Sequence, residues 1–214
     1  MIKEVIEQIL LEINSKAELV VAVKYANEKQ IKEIIGLGVN IAFNTFQQFE
    51  EVSNNNDLSK IKVHFIGAIQ SNKISKIVRL KPLLIQSVSS IDIAEKINSV
   101  CSELNIKQKI LLQINSDPEK KAGFQFNELE DEIMKIRKLP NIEICGLMTI
   151  PPEIEKIGET KLKEIYRKMR LEYGRVQRVF EINFEFLSMG MSEDYITAIS
   201  EGSNMVRIGR KIFE

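Results

Sequence analysis

Hydrophobic positions along the chain fall into two kinds of segment that alternate. The first kind is a short apolar run, rich in β-branched residues and without polar alternation, which is typical of a parallel strand covered on both faces. Eight runs of this kind predict strands at residues 19–24, 39–43, 63–67, 84–88, 110–114, 142–148, 184–188 and 205–208.

The second kind is a longer amphipathic stretch, which predicts a helix. In residues 28–37, for example, Ile31, Ile34 and Ile35 share one helical face. Further helices are predicted at 91–104, 128–139, 158–180 and 193–200, with an extra helix at 1–14 before the first strand. The polar run 53–57 is interpreted as a loop, and Pro151-Pro152 is a strong break.

Strict alternation of strand and helix predicts an α/β fold in which crossovers wind a parallel sheet. Eight such units favour a closed (β/α)₈ TIM barrel over an open, doubly wound sheet. The chain has 214 residues, with 44% hydrophobic and 28% charged, which suits one domain over 1–214.

Charge and cysteine content narrow the functional classes. Lys plus Arg and Asp plus Glu both total 30, so neither nucleic acid nor an anionic membrane is an expected partner. The two cysteines lack CxxC spacing, and no metal-ligand spacing is present. The N-terminal segment is unlike a signal peptide, so we expect a cytoplasmic protein. We also expect a monomer.

Chemistry in a barrel is expected where strands end and the following loops begin. Lys24 closes the first apolar run, where partial desolvation would free its amine as a nucleophile for a Schiff base. The alternative is a lysine that merely snorkels out of a strand end. His64, the only histidine, lies on the third strand as either a satisfied core residue or a functional group.

The last two strands carry a second set of candidates. Ser188 ends strand seven, Met191 and Ser192 follow it, and Ser192 is placed to start a helix whose N–H groups could hold a phosphate. Gly209, after strand eight, would let the backbone approach an anion. Arg207 could face a ligand there, or form an ion pair at the barrel rim.

Taken together, these segments resemble one family, the pyridoxal phosphate homeostasis proteins (YggS/PROSC-like). The resemblance runs from about residue 19 to the C-terminus and is carried by six ordered motifs at 19–24, 64–73, 121–123, 145–150, 187–192 and 205–213. It implies a barrel of the alanine racemase N-terminal domain type, with pyridoxal 5′-phosphate (PLP) bound as an internal aldimine on Lys24. Ser192 and the backbone around Gly209 would hold the phosphate, and Arg207 would face the pyridine nitrogen.

That placement of arginine indicates a carrier. A protonated guanidinium discourages protonation of the ring nitrogen, and a neutral pyridine is a poorer electron sink. The resemblance therefore implies intracellular PLP (vitamin B6) homeostasis, with PLP-dependent apoenzymes as recipients. The alternatives are a racemase or decarboxylase, or a barrel that binds another phosphorylated ligand without covalent chemistry. A racemase would need an acid-base residue from a second domain, which we do not expect, although Tyr25 and Tyr195 lie near the predicted mouth.

The sequence departs from the family pattern in two places. The family's Ala-Val-Ser-Lys is matched by residues 21–24, with Val23 in place of serine and Lys24 in register. The family's Phe-Gly-Glu-Asn is matched by residues 42–45, which puts Thr45 at the asparagine beside the cofactor. A shorter threonine is expected to leave one polar contact on the ring unmade.

Overall fold

The computed structural model describes residues 2–214 and contains a closed barrel of eight parallel strands. Each strand pairs with the next along the chain, and the last pairs with the first, so the predicted TIM barrel is confirmed. The strands are β1 (Glu18–Ala22), β2 (Asn40–Phe43), β3 (Val63–Phe65), β4 (Leu84–Val88), β5 (Gln108–Ile114), β6 (Ile142–Thr149), β7 (Phe186–Ser188) and β8 (Met205–Ile208).

Helices follow the strands around the outside. They are α1 (Ile2–Ile13), α2 (Glu28–Gly36), α3 (Phe46–Asn55), α4 (Ile74–Arg79), α5 (Ile91–Leu104), α6 (Leu129–Ile136), α7 (Ile154–Phe180), α8 (Tyr195–Ser200) and α9 (Arg210–Phe213). Within residues 2–214, none of these helices combines the length and apolarity needed to cross a bilayer.

All eight strands lie where the apolar runs predicted them, but several boundaries differ. β1 ends at Ala22, so Lys24 lies in a 3₁₀ turn, Val23–Tyr25, rather than at the end of the strand. The predicted loop at 53–57 is largely wrong, because α3 continues to Asn55 with its apolar face buried. Helices α3, α4 and α9 were not predicted, and the last two have only six and four residues, which give too little periodicity to detect.

Buried strand residues divide between two hydrophobic clusters. Side chains such as Val21, Ile41 and Phe65 belong to the larger cluster, which also contains the buried faces of the helices. Alternate residues, including Val20 and Ala42, form a smaller cluster inside the barrel. Because both faces of each strand are buried, the strand sequences are almost continuously apolar.

The ends of β2 and β3 meet at a very close backbone contact. A Cβ atom added to Gly67 would lie 1.7 Å from the main-chain oxygen of Asn44, a distance that no side chain can occupy. Only glycine fits at position 67, directly after β3. This contact fixes the loop after β2 against the loop after β3 at the rim where the candidate residues lie.

We therefore expect Gly67→Ala to destabilise the barrel by at least about 1–3 kcal/mol, because main-chain atoms have to move apart. Urea unfolding followed by circular dichroism measures this change. Gly36→Ala is the matched control: Gly36 lies in α2 with nothing within 4 Å of an added Cβ. That control should gain about 0.5–1 kcal/mol. If the two variants were equally stable, the close contact between Gly67 and the main chain of Asn44 would be contradicted.

Candidate functional site

The C-terminal ends of the eight parallel strands lie at one rim, and the candidate residues meet where β1 adjoins β8. In this pairing Val20 is level with Arg207 and Val21 with Ile208. A Cβ atom on Gly209 would lie 2.9 Å from the carbonyl oxygen of Ala22, so the two strand ends touch through their backbones. Lys24 lies two residues beyond Ala22, which places it beside the end of β8.

Lys24 projects from the turn that follows β1. Its side chain is exposed, and its ammonium nitrogen lies 5.0 Å from the centroid of the Tyr25 ring. The expected partial desolvation is therefore wrong for this lysine, because the strand ends two residues earlier than predicted. Gln48 holds the turn by donating from Nε2 to the carbonyl oxygen of Val23 at 2.9 Å. The amine is thus open to a ligand at the rim.

The loop after β7 is tied to the start of α9. Ser192 is not the N-cap that the sequence predicted, because α8 begins at Tyr195. The Ser192 hydroxyl instead accepts a hydrogen bond from the main-chain N–H of Lys211 at 3.3 Å. This contact places Ser192 beside Gly209, which immediately precedes α9. The two residues predicted to hold a phosphate are therefore brought together.

The two acidic residues of this loop are both engaged elsewhere. Glu193 forms an ion pair with Arg210 at 3.0 Å. Asp194 is buried, accepts a hydrogen bond from the Met191 main-chain N–H at 2.6 Å and accepts another from the Tyr166 hydroxyl at 2.8 Å. Because their charges are balanced or turned inward, these two residues do not oppose an anion at Ser192.

Arg207 is buried inside the barrel rather than paired at its rim. The side chain is 4% exposed, and both of its hydrogen-bond partners are neutral: the Ser188 hydroxyl at 2.5 Å and the Thr149 carbonyl oxygen at 2.9 Å. Burial lowers the pKa of the guanidinium to about 10, while Tyr166 and Asp194 act in the opposite direction. Arg207 therefore remains a cation near neutral pH.

Ser188 and His64 lie below the rim on the same polar network. The Ser188 hydroxyl donates to Oε1 of Gln86 at 2.8 Å, and Nε2 of Gln86 lies 2.9 Å from Nδ1 of His64. Within residues 2–214, Nε2 of His64 has no hydrogen-bond partner. Burial lowers the pKa of His64 to about 4, so the imidazole is neutral. Sequence reasoning missed Gln86, although it is a polar residue in the middle of the apolar run 84–88.

At the end of β2, Asn44 and Thr45 differ in how their side chains are hydrogen-bonded. Thr45 is exposed, and its hydroxyl is occupied as the N-cap of α3, accepting from the main-chain N–H of Gln48 at 3.3 Å. The amide oxygen of Asn44 is buried and lacks a partner in the described part of the chain. Buried polar atoms are rarely left unpaired in proteins.

The alanine racemase N-terminal domain family model matches residues 14–213 of this chain. The chain is 34% identical over 200 residues to the pyridoxal phosphate homeostasis protein of Aquifex aeolicus, covering 92% of this chain and 86% of that protein. It is 33% identical over 215 residues to the protein of the same name from Synechocystis sp., covering 98% of this chain and 96% of that one.

Solved structures agree with these matches. PipY of Synechococcus elongatus, solved with PLP bound, superposes with a TM-score of 0.91 at 26% identity, and the match covers 100% of both chains. An alanine racemase from Clostridium difficile has a TM-score of 0.79 at 19% identity, and the match covers 55% of its length. The second likeness concerns the fold alone.

We predict that the free energy of unfolding decreases as the pH is lowered below about 6.5, because His64 is buried in its neutral form. Its pKa lies near 6.5 in an unfolded chain and near 4 in the fold, so below about pH 6.5 the unfolded chain binds the extra proton. The contribution of neutral His64 to the free energy of unfolding is therefore fully present above that pH. It decreases by about 3 kcal/mol in total as the pH falls towards 4. Urea unfolding at several pH values measures this loss.

His64→Gln supplies the comparison, because it removes the only histidine while keeping a polar side chain. The stability difference between the two proteins should narrow as pH falls from 6.5 to 4. A difference that stays constant across this range would mean that His64 is not buried in its neutral form.

Proposed function

The chain belongs to the family of pyridoxal phosphate homeostasis proteins, and from this we propose that it binds PLP covalently through Lys24 and takes part in intracellular PLP (vitamin B6) homeostasis. The observation that carries the proposal is the junction of β1 and β8. It brings the exposed amine of Lys24, the main chain at Gly209, which has no side chain, and the guanidinium of Arg207 to neighbouring strand ends.

The residues present fit the phosphate of PLP. We propose that the Ser192 hydroxyl and the main chain around Gly209 hold this group, because Ser192 is already anchored to the start of α9. Helix starts present main-chain N–H groups that suit anions. Met191 shapes the same loop through its contact with Asp194.

The fit to the pyridine ring rests on Arg207 and Asn44. We propose that Arg207 lies beneath the ring nitrogen, where its charge opposes protonation of that nitrogen. The amide oxygen of Asn44, which lacks a partner in the described residues, would supply the polar contact that Thr45 is expected to leave unmade. Ser188 accepts a hydrogen bond from Arg207, and His64 belongs to the same network through Gln86.

PLP supplies an electron sink for amino-acid chemistry, and that capacity is greatest when its ring nitrogen is protonated. A permanent cation at this position therefore favours retention of PLP over turnover, and we propose a carrier without catalytic activity. The tyrosines do not favour a racemase. Tyr195 is hydrogen-bonded to Glu12 and Lys211 between α8, α1 and α9, and the exposed Tyr25 ring lies against the Lys24 ammonium.

We propose that residues 1–214 form one binding unit, a monomer that delivers PLP to apoenzymes in the cytoplasm. The two free thiols, Cys101 and Cys145, are buried, which fits a reducing compartment. Neither nucleic acid nor a membrane is a proposed partner, because the chain has a net charge of zero.

Lys24→Ala is expected to abolish covalent PLP binding, because the only attachment point of the cofactor is removed. Purified protein is incubated with PLP, freed of unbound cofactor, and examined for visible absorbance and for a borohydride-fixed adduct by peptide mass spectrometry. The wild type should carry one adduct, on Lys24. Lys24→Arg keeps the positive charge but lacks a nucleophilic amine, and it should fail in the same way.

Lys29→Ala is the matched control, because Lys29 is an exposed lysine on α2, close in sequence. This variant should retain PLP like the wild type. A wild type that takes up no PLP, or a Lys24→Ala variant with an equally stable adduct, would refute the proposed function.

Asn44→Ala and Thr45→Ala separate the two candidates at the end of β2. Losing one polar contact to the cofactor should weaken PLP binding about tenfold in Asn44→Ala. Thr45→Ala should instead cost about 1 kcal/mol of stability, because it removes the cap of α3, and should leave PLP affinity unchanged. Equilibrium titration measures PLP affinity, and urea unfolding measures stability. Weaker PLP binding in Thr45→Ala, with unchanged affinity in Asn44→Ala, would assign the contact to Thr45.

A further inference from the structure

Four polar side chains cross the interior of the barrel in one continuous line. They come from β8, β7, β4 and β3, in the order Arg207, Ser188, Gln86 and His64. All four are at most 4% exposed. Interiors of such barrels are usually filled by bulky apolar residues. A buried polar line of this length costs stability unless every link is satisfied.

The direction of each hydrogen bond follows from the chemistry of the groups. A guanidinium can only donate, so the Ser188 oxygen accepts from Arg207. The Ser188 hydroxyl then donates a hydrogen bond to Oε1 of Gln86, so the amide nitrogen of Gln86 faces His64.

A second contact supports this orientation of the Gln86 amide. Its Nε2 also lies 3.2 Å from the sulfur of Met205, a weak acceptor that has nothing to donate. Nδ1 of His64 must therefore accept from Gln86. The imidazole proton then lies on Nε2, the buried atom that lacks a partner in the described residues.

We propose that Gln86 is a positioning residue, which holds Arg207 in place through Ser188 and fixes His64 as its Nε2–H tautomer. Gln86 lies on β4 and Ser188 on β7, strands that are not neighbours in the barrel, so this bond ties opposite walls together. Without the amide oxygen, the Ser188 hydroxyl would be free to turn, and the guanidinium would lose a defined acceptor. The role of Arg207 towards PLP rests on the proposed function, whereas the tautomer of His64 does not.

The single histidine allows a direct test without any ligand. Long-range ¹⁵N–¹H correlation spectra of untagged, ¹⁵N-labelled protein distinguish a protonated ring nitrogen from an unprotonated one. We expect Nε2 to be protonated and Nδ1 unprotonated across neutral pH. A proton on Nδ1, or an even mixture of the two tautomers, would overturn the inference whether or not the protein binds PLP.

Gln86→Leu removes both links at nearly constant volume. We expect the fixed tautomer to be lost, PLP to bind about tenfold more weakly, and the visible band of bound PLP to shift. Gln108→Leu is the matched control, because Gln108 is a buried glutamine on neighbouring β5 whose side-chain amide donates to main-chain carbonyl groups. It should be destabilised yet keep the wild-type tautomer and band.

Gln86→Glu tests the same link with a side chain of equal size. A carboxylate can accept from Ser188 but cannot donate to Nδ1, so it should draw a proton onto that nitrogen and raise the pKa of His64 by about 1–3 units. An unchanged His64 titration in Gln86→Glu, or a wild-type tautomer and PLP band in Gln86→Leu, would refute the positioning role. If wild-type protein failed to bind PLP but showed the expected tautomer, only the proposed function would fall.

Discussion

A permanently charged guanidinium inside the barrel is the constraint on which the rest of the site depends. Burying a cation is costly unless hydrogen bonds replace its water, and the hydrogen-bond partners of Arg207 within residues 2–214 are the neutral Ser188 hydroxyl and the Thr149 carbonyl oxygen. Because these partners come from β7 and β6, two strands besides β8 take part in stabilising the buried charge. Ser188 in turn depends on Gln86 from β4. The polar interior is a consequence of placing Arg207 there.

The rim above this network is built by contacts between loops. Gly209 touches Ala22 through the backbone, Gly67 touches Asn44, and Ser192 is bonded to the main chain of Lys211. Each contact joins the end of one strand, or the segment that follows it, to the segment that follows a neighbouring strand, and together they leave little freedom in the positions of Lys24 and of the residues proposed to bind phosphate. The proposed covalent binding of PLP needs this arrangement, because the aldehyde carbon, the phosphate and the ring of PLP have to reach their partners at the same time.

Sequence reasoning located the strands and most of the rim because both depend on local patterns. Lys24, Arg207 and Gly209 lie at or beside the ends of apolar runs, so the barrel topology alone brings them together. Gln86 was overlooked, because β4 is buried on both faces and its sequence does not reveal which residues point inward. Whether Thr45 or its neighbour Asn44 contacts a cofactor is harder to predict, because the hydroxyl of Thr45 caps α3, and alignment to a family pattern does not show where that helix starts.

The interior network also bears on the difference between carrying PLP and reacting with it. Burial lowers the pKa of His64 to about 4 and that of Arg207 to about 10, and Gln86 and Ser188 do not titrate in this range. The charge of the network is therefore constant throughout physiological pH. General acid–base catalysis needs a group whose pKa lies near the working pH, so that a proton can be taken up and released. For PLP bound as we propose, a network of constant charge would hold the ring in one electrostatic state, which suits reversible attachment at Lys24 better than turnover.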